Sequence, residues 1–460
     1  MKEHIFQLSS LDHAAERVYL RCCFCFSTTN EESDFDKISA HLTATVKRTI
    51  AHMPILAGVV RPSQAQGQAG RTEVMVKREQ VNGFKPMIKI LSHGEFPHTY
   101  KDLEVAGMSP AILFNDKLTP LPNLSAAESS PAFGIQANFV SGGLLVALSL
   151  HQAVADIVGF QTIITHLSSN LPTYYITDDD IHDMAVDQSR LRDRLSGSRG
   201  AKVEASAVKN TSDEGLHAVE SAICGRMFAF NTKLIDGVAA LVNERLLIIR
   251  KDASTTVHSS NVLFAILWKG IVRARRRASQ APAPSLAAES AVLLPVNVRK
   301  AIDPALDEGY MGNATLEIAV NHSTVNLMMP FDVGTLGAAA LAIHTGIQGV
   351  NEQHIRSVIA GINAGADLAD LGKKNANDAA AMKIADWSGL NVAEKGHLGL
   401  GLGKPGWVRK IGREMTADGC TVHAVKEDEG LWEVMVEIEE DVMGVLLKDD
   451  GFMAFVAHVA

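Results

Sequence analysis

The residues best placed by type and spacing to do chemistry are His151, Gln152 and Asp156. They lie in the stretch Leu148-Ser-Leu-His151-Gln152-Ala-Val-Ala-Asp156-Ile-Val-Gly159. An imidazole near a carboxylate is a common arrangement for moving a proton, because histidine titrates near working pH. A carboxamide takes up no such proton; it donates through N–H or accepts at its carbonyl. The element that must hold these groups is the largely apolar run Phe139 to Leu150, which reads as a mostly buried strand. Past it the chain turns at Asp156 and Gly159 and enters a helical pattern through Leu167. Polar residues at the end of a buried strand have the rigid support that a site needs.

Composition narrows the classes. At 460 residues, two or three domains are expected, and 47% hydrophobic residues with a mean hydropathy of +0.08 allow large cores. The net charge of −9 is the wrong sign for a dedicated nucleic-acid binder. The basic cluster Arg273-Ala-Arg-Arg-Arg277 follows a helical pattern and reads as a favourable cationic helix end. The five cysteines, Cys22, Cys23, Cys25, Cys224 and Cys420, show no metal spacing, so reduced buried thiols in a cytoplasmic protein are expected. The opening Met-Lys-Glu-His-Ile-Phe lacks a signal peptide's apolar core, and no apolar run reaches the ~20 residues of a membrane span.

Taken in order, Leu8 to His13 reads as a turn and Val18 to Phe26 as a strand. Phe35 to Met53 carries Ile38, Leu42, Val46 and Ile50 at spacings of four, one face of an amphipathic helix. Pro54 to Val60 reads as a strand. Leu171 to Leu216 is polar and punctuated by glycine, as a linker or crossover would be. In the second half, Cys224 to Phe230 and Ala291 to Arg299 read as strands, and Val262 to Arg273 as a helix. Ala338 to Lys383 is alanine-rich and mostly helical, with a low-complexity portion from Ala364 to Ala381. Thr421 to Ala424 and Leu431 to Ile438 read as a hairpin, and Val442 to Leu447 as the start of a last helix.

The stretch around Gln152 resembles a signature of the BAHD acyltransferases, in particular fungal members like the trichothecene acetyltransferases. Those carry His-His-x-x-x-Asp-x-x-Gly, with the second His as general base and the Asp mainly structural. Here Gln152 stands at the base position, and His151 is one residue early. Pro54-Ile-Leu-Ala-Gly58, Val296-Asn-Val-Arg299, Gly309-Tyr-Met-Gly-Asn313 and His397-Leu-Gly-Leu-Gly-Leu-Gly-Lys404-Pro405 also resemble family segments, the last with His397 in place of the usual Asp. The resemblance implies a two-domain α/β fold, with mixed sheets, helices and a channel at the interface. It suggests an N-terminal half over residues 1–175, a crossover over 176–217 and a C-terminal half over 218–460. It also implies a close Asp156–Arg299 ion pair, a small-molecule natural-product substrate and a monomer.

The residues leave the activity open. If strand alternation persists, His151 and Gln152 face opposite ways. Gln152 polarising a substrate carbonyl suits a base-free reaction without cofactor, such as a Diels–Alderase-type cyclisation or an isomerisation. A bulge could instead bring His151 into the channel as the base of an acyltransferase using acetyl-CoA or another acyl-CoA, and Arg273 to Arg277 could then meet a CoA phosphate. A ligand-binding protein without catalysis is the third reading. His397 and Trp387 are expected to contact substrate, against the plainer readings of a glycine-permitted loop and a core tryptophan.

Overall fold

The computed structural model describes all residues except 1, 29–31, 65–70, 125–128, 173, 198–221, 251–255, 308, 365–381, 389–395, 413–418 and 427–429. Gly143–His151 is the central strand of a five-stranded sheet ordered Trp407–Lys410, Tyr19–Ser27, Gly143–His151, Phe133–Val140, Met87–Ile90. Every residue of the central strand is buried, which accounts for its continuous rather than alternating apolar pattern. Leu144, Val146, Leu148 and Leu150 join one core with Ile38, Leu42, Val46 and Ile50 of the helix Glu32–His52, and with Phe160, Ile163 and Leu167 of the helix Ile157–Ser168. Leu145 and Ala147, on the opposite face, pack with Leu103, Met108 and Ile411.

A four-stranded sheet, ordered Glu3–Gln7, Thr72–Lys77, Val59–Pro62, Ser130–Pro131, completes the first half. The second half is built on a seven-stranded mixed sheet ordered Thr315–Ser323, Glu289–Asn297, Met382–Asp386, Gly419–Lys426, Leu431–Glu439, Ile223–Asn231, Val456–Val459. The helix Ser259–Ala278 packs on it and is buried along most of its length. Trp407–Lys410 belongs by sequence to the second half but pairs antiparallel with Tyr19–Ser27 of the first.

Several elements differ from the sequence reading. Leu8 to His13 is not a simple turn, because Ser10–Ala14 is helical; Ser9 and Asp12 form a reciprocal capping box that starts it. Pro54–Ala57 is a 3₁₀ turn, with proline in its favoured first position, and the strand begins only at Val59. The polar crossover contains the helix Asp178–Asp193, capped by Thr177 and Asp180, with three aspartates in its positive first turn. The alanine-rich region forms the helices Val333–Gln348 and Glu352–Ala364, whereas Lys383 lies in a strand. The low-complexity portion after Ala364 lies outside the described residues. Arg273 and Arg277 both bond Asp449, at 2.9 and 2.8 Å, and Arg276 bonds the Pro282 carbonyl, so the basic cluster is tied into the fold. No single helix among the described residues is long and apolar enough to cross a membrane.

Candidate active site

His151 is the last residue of the central strand. Its backbone N–H donates to the Ala132 carbonyl at 2.9 Å, and its ring meets Tyr19, its partner across the ladder, edge-on at 5.7 Å. The imidazole is 3% exposed. The Ala153 N–H donates to its Nδ1 at 3.1 Å, so in the neutral ring the proton sits on Nε2. Burial, helped by the nearby charge of Arg17, lowers the pKa to about 3. His151 is therefore a neutral N–H donor near pH 7.

Gln152 lies in the turn after the strand, so the alternation of faces ends at His151. Its backbone N–H donates to the Val18 carbonyl at 3.0 Å, and its own carbonyl accepts from Asn313 Nδ2 at 2.8 Å. The half-buried carboxamide makes no hydrogen bond to a described residue, which leaves its donors and acceptor for a ligand.

Asp156 is committed to holding structure. Its Oδ1 accepts from Gly159 N at 2.9 Å, capping the helix Ile157–Ser168. Arg299 grips both carboxylate oxygens, at 2.8 and 3.0 Å, and Ala314 N and Thr315 Oγ1 add bonds at 2.9 and 2.8 Å. Arg299 also donates to the Tyr310 and Gly312 carbonyls. Asp156 and Arg299 are 4% and 2% exposed. The Asp156–Arg299 pair thus fastens the turn after the strand to the loop Tyr310–Gly312 of the second half.

Sequence reasoning missed a second tether. Asn313 donates through its backbone N and its Nδ2 to Asp12 Oδ1, both at 2.8 Å, while Arg192 bonds Asp12 and also donates to the Val154 carbonyl at 2.9 Å. The Ser9-x-x-Asp12 capping box was a readable signal for the local role of Asp12, but nothing local announces Arg192. Glu16 of the first half and Glu317 of the second both bond Lys383.

His397 lies away from His151 and Gln152, whereas Trp387 shares the core that Leu150, Ala153 and Val154 also enter. Trp387 is 6% exposed, packs in the first half's core and donates its backbone N–H to Val422. His397 Nδ1 accepts from Gly399 N at 3.2 Å, and the next residue, Leu398, donates to Ser168 Oγ. Ser168 ends the twelve-residue helix that Asp156 begins. At 1.5 Å per residue, about 18 Å of helix separates the two ends. Trp387 thus has a core position and His397 a loop position. Gly399, Gly401 and Gly403 all take positive φ, so the glycine pattern serves this loop's backbone.

A cavity of about 600 Å³ lies between the helix Glu32–His52 and that loop, lined in part by Asp34, Lys37, His41 and Gly401. None of His151, Gln152 and Asp156 lines it. The strand end is the stronger candidate for chemistry, because there both halves meet around an uncommitted carboxamide and a neutral imidazole.

The Transferase family pattern matches residues 111–453, and that of trichothecene 3-O-acetyltransferase-like N-terminal domains matches residues 18–170. The chain is 24% identical to the acyltransferase BOA11 of Botryotinia fuckeliana over 80% of this chain and 79% of that protein. It is 23% identical to the acyltransferase easC of Emericella nidulans over 99% and 95%. In fold it matches F. sporotrichioides TRI101, solved with coenzyme A and T-2, with a TM-score of 0.76 at 18% identity over 99% of both chains.

Proposed function

Because this chain belongs to the Transferase family, the BAHD acyltransferases, we propose that it is a small-molecule enzyme whose strand end polarises a substrate carbonyl instead of deprotonating an acceptor. The reaction we assign is a cofactor-independent cyclisation or isomerisation, of the Diels–Alderase type, on an apolar natural-product intermediate. One observation carries the reading: His151 Nδ1 is occupied by the Ala153 N–H, so Nε2 holds the proton and is a donor. Gln152, at the position where the family places its base, has no proton-accepting chemistry either. Loss of a general base costs on the order of 10²–10⁴ in rate for reactions that need one. A reaction whose bonds reorganise without proton transfer pays no such penalty. It gains from N–H donors aimed at a carbonyl and from a fixed reactive conformer.

A second reading is acyl transfer from an acyl-CoA with His151 as base. The naming of two extensively similar relatives as acyltransferases favours it. It requires the imidazole to release the Ala153 N–H and present an unprotonated nitrogen to the acceptor.

Mass spectrometry separates the two. The protein is incubated with unsaturated carbonyl metabolites, with and without acetyl-CoA. A product of unchanged mass formed without acetyl-CoA, and slowed by Gln152→Ala, supports the first reading. An acetyl mass gain that needs acetyl-CoA and vanishes in His151→Ala overturns it in favour of the second.

A further inference from the structure

Arg17 stands beside the strand end, close enough for its charge to act on His151, and makes no ion pair among the described residues. Among the described residues no carboxylate lies within 4.0 Å of its guanidinium. The two acidic groups closest in sequence are engaged elsewhere: Asp12 by Arg192 and Asn313, and Glu16 by Lys383. The described hydrogen bond of the Arg17 guanidinium runs from Nη1 to Thr72 Oγ1 at 3.0 Å, leaving most of its five donors available. The residue is open to solvent, yet partial desolvation by the surrounding protein lowers its pKa, against the opposing charge of Asp12.

The neighbours point the same way. Val18, the next residue, accepts the backbone bond of Gln152, and Tyr19 packs against His151. His13, whose Nδ1 accepts from Thr72 N at 3.4 Å, is held neutral by burial. A partly desolvated cation whose nearest acidic influence, Asp12, is bonded by Arg192 and Asn313 gains more from an anionic partner than one in bulk water does. A guanidinium also matches the planar fork of a carboxylate.

We propose that Arg17 is a ligand-recognising residue of the strand-end site, and that its ligand carries a carboxylate or enolate oxygen on an apolar skeleton. This deepens the proposed function and rests on the strand end being the substrate site, but not on which reaction occurs there. It names a substrate class: an acidic intermediate whose anionic oxygen is held by Arg17.

Calorimetric titration with octanoate, octanamide and coenzyme A tests it without any turnover. Octanoate should bind the wild type at least about tenfold more tightly than octanamide, and more weakly at high salt. Arg17→Gln should remove that preference, Arg17→Lys should keep part of it, and octanamide and coenzyme A should bind the variants as they bind the wild type. The proposal is overturned if octanoate does not bind, if octanoate and octanamide bind alike, if Arg17→Gln leaves octanoate unaffected, or if the variant weakens only coenzyme A. If binding behaves as expected but no mass-neutral product is ever found, the proposed reaction fails while this assignment stands.

Discussion

At the residue scale, the departure at the strand-end signature is one side chain, and it can be reversed. Gln152→His places an imidazole four residues before Asp156, where a BAHD enzyme carries its base. This variant is expected to gain acetyl-CoA-consuming activity, read as thiol release, at least about tenfold above the wild type. Asp156→Ala would leave Arg299 buried without its carboxylate and should cost about 3–5 kcal/mol in denaturant unfolding. The histidines add a pH dependence. Burial lowers the folded pKa values of His151 and His13 to about 3 and about 4, against about 6.5 for a solvated histidine of the unfolded chain. As pH falls below about 6.5 the unfolded chain binds protons that the folded chain does not, so stability declines toward those lower values. His151→Gln should make this decline shallower by up to about 1.4 kcal/mol per pH unit, measured by urea unfolding between pH 7 and 4.5. Of the candidate site, the Asp156–Arg299 pair was legible because a family pattern fixes the position of both residues. The tautomer of His151 was not, since it depends on one backbone N–H in a turn.

At the element scale, the helix after the central strand was legible from its apolar stripe, but the run Phe139 to Leu150, read as one strand, turns at Ser141-Gly142 and is shared between the hairpin strands Phe133–Val140 and Gly143–His151. The helices Ser10–Ala14 and Asp178–Asp193 were not legible, because each relies on a capping box inside an otherwise polar stretch, where hydrophobic periodicity is weak. The position of the His397 loop was not legible, because motif order carries no information about which end of a helix a loop reaches. Gly159 shows how closely the elements meet. A Cβ there would run into the Met311 carbonyl oxygen, which is backbone and cannot swing away. Gly159→Ala should therefore push the helix Ile157–Ser168 off the loop of the second half and cost at least about 1–3 kcal/mol, read by urea unfolding.

At the scale of the whole molecule, the two-domain α/β fold was legible through the family resemblance, but the exchange between halves was not. Trp407–Lys410 crosses into the first sheet, and its charges are answered from the second. Arg409 bonds both oxygens of Glu433 at 2.8 and 2.9 Å, and Lys410 bonds Glu437 at 2.8 Å, with all four residues buried. These pairs join residues 24 and 27 positions apart that lie on strands of different sheets, a relation no local pattern encodes. Glu433→Ala should cost about 3–5 kcal/mol by stranding Arg409, and calorimetry should show the two halves losing their common transition.

The central claim is that the strand end offers hydrogen-bond donors and no proton acceptor. Nitrogen-15 NMR of histidine-labelled protein, with His151 assigned by its loss in His151→Gln, addresses this directly. The account predicts a neutral ring protonated at Nε2 and unchanged from pH 8 to pH 5. A ring that titrates between pH 6 and 7, or that carries its neutral-state proton on Nδ1, would contradict it.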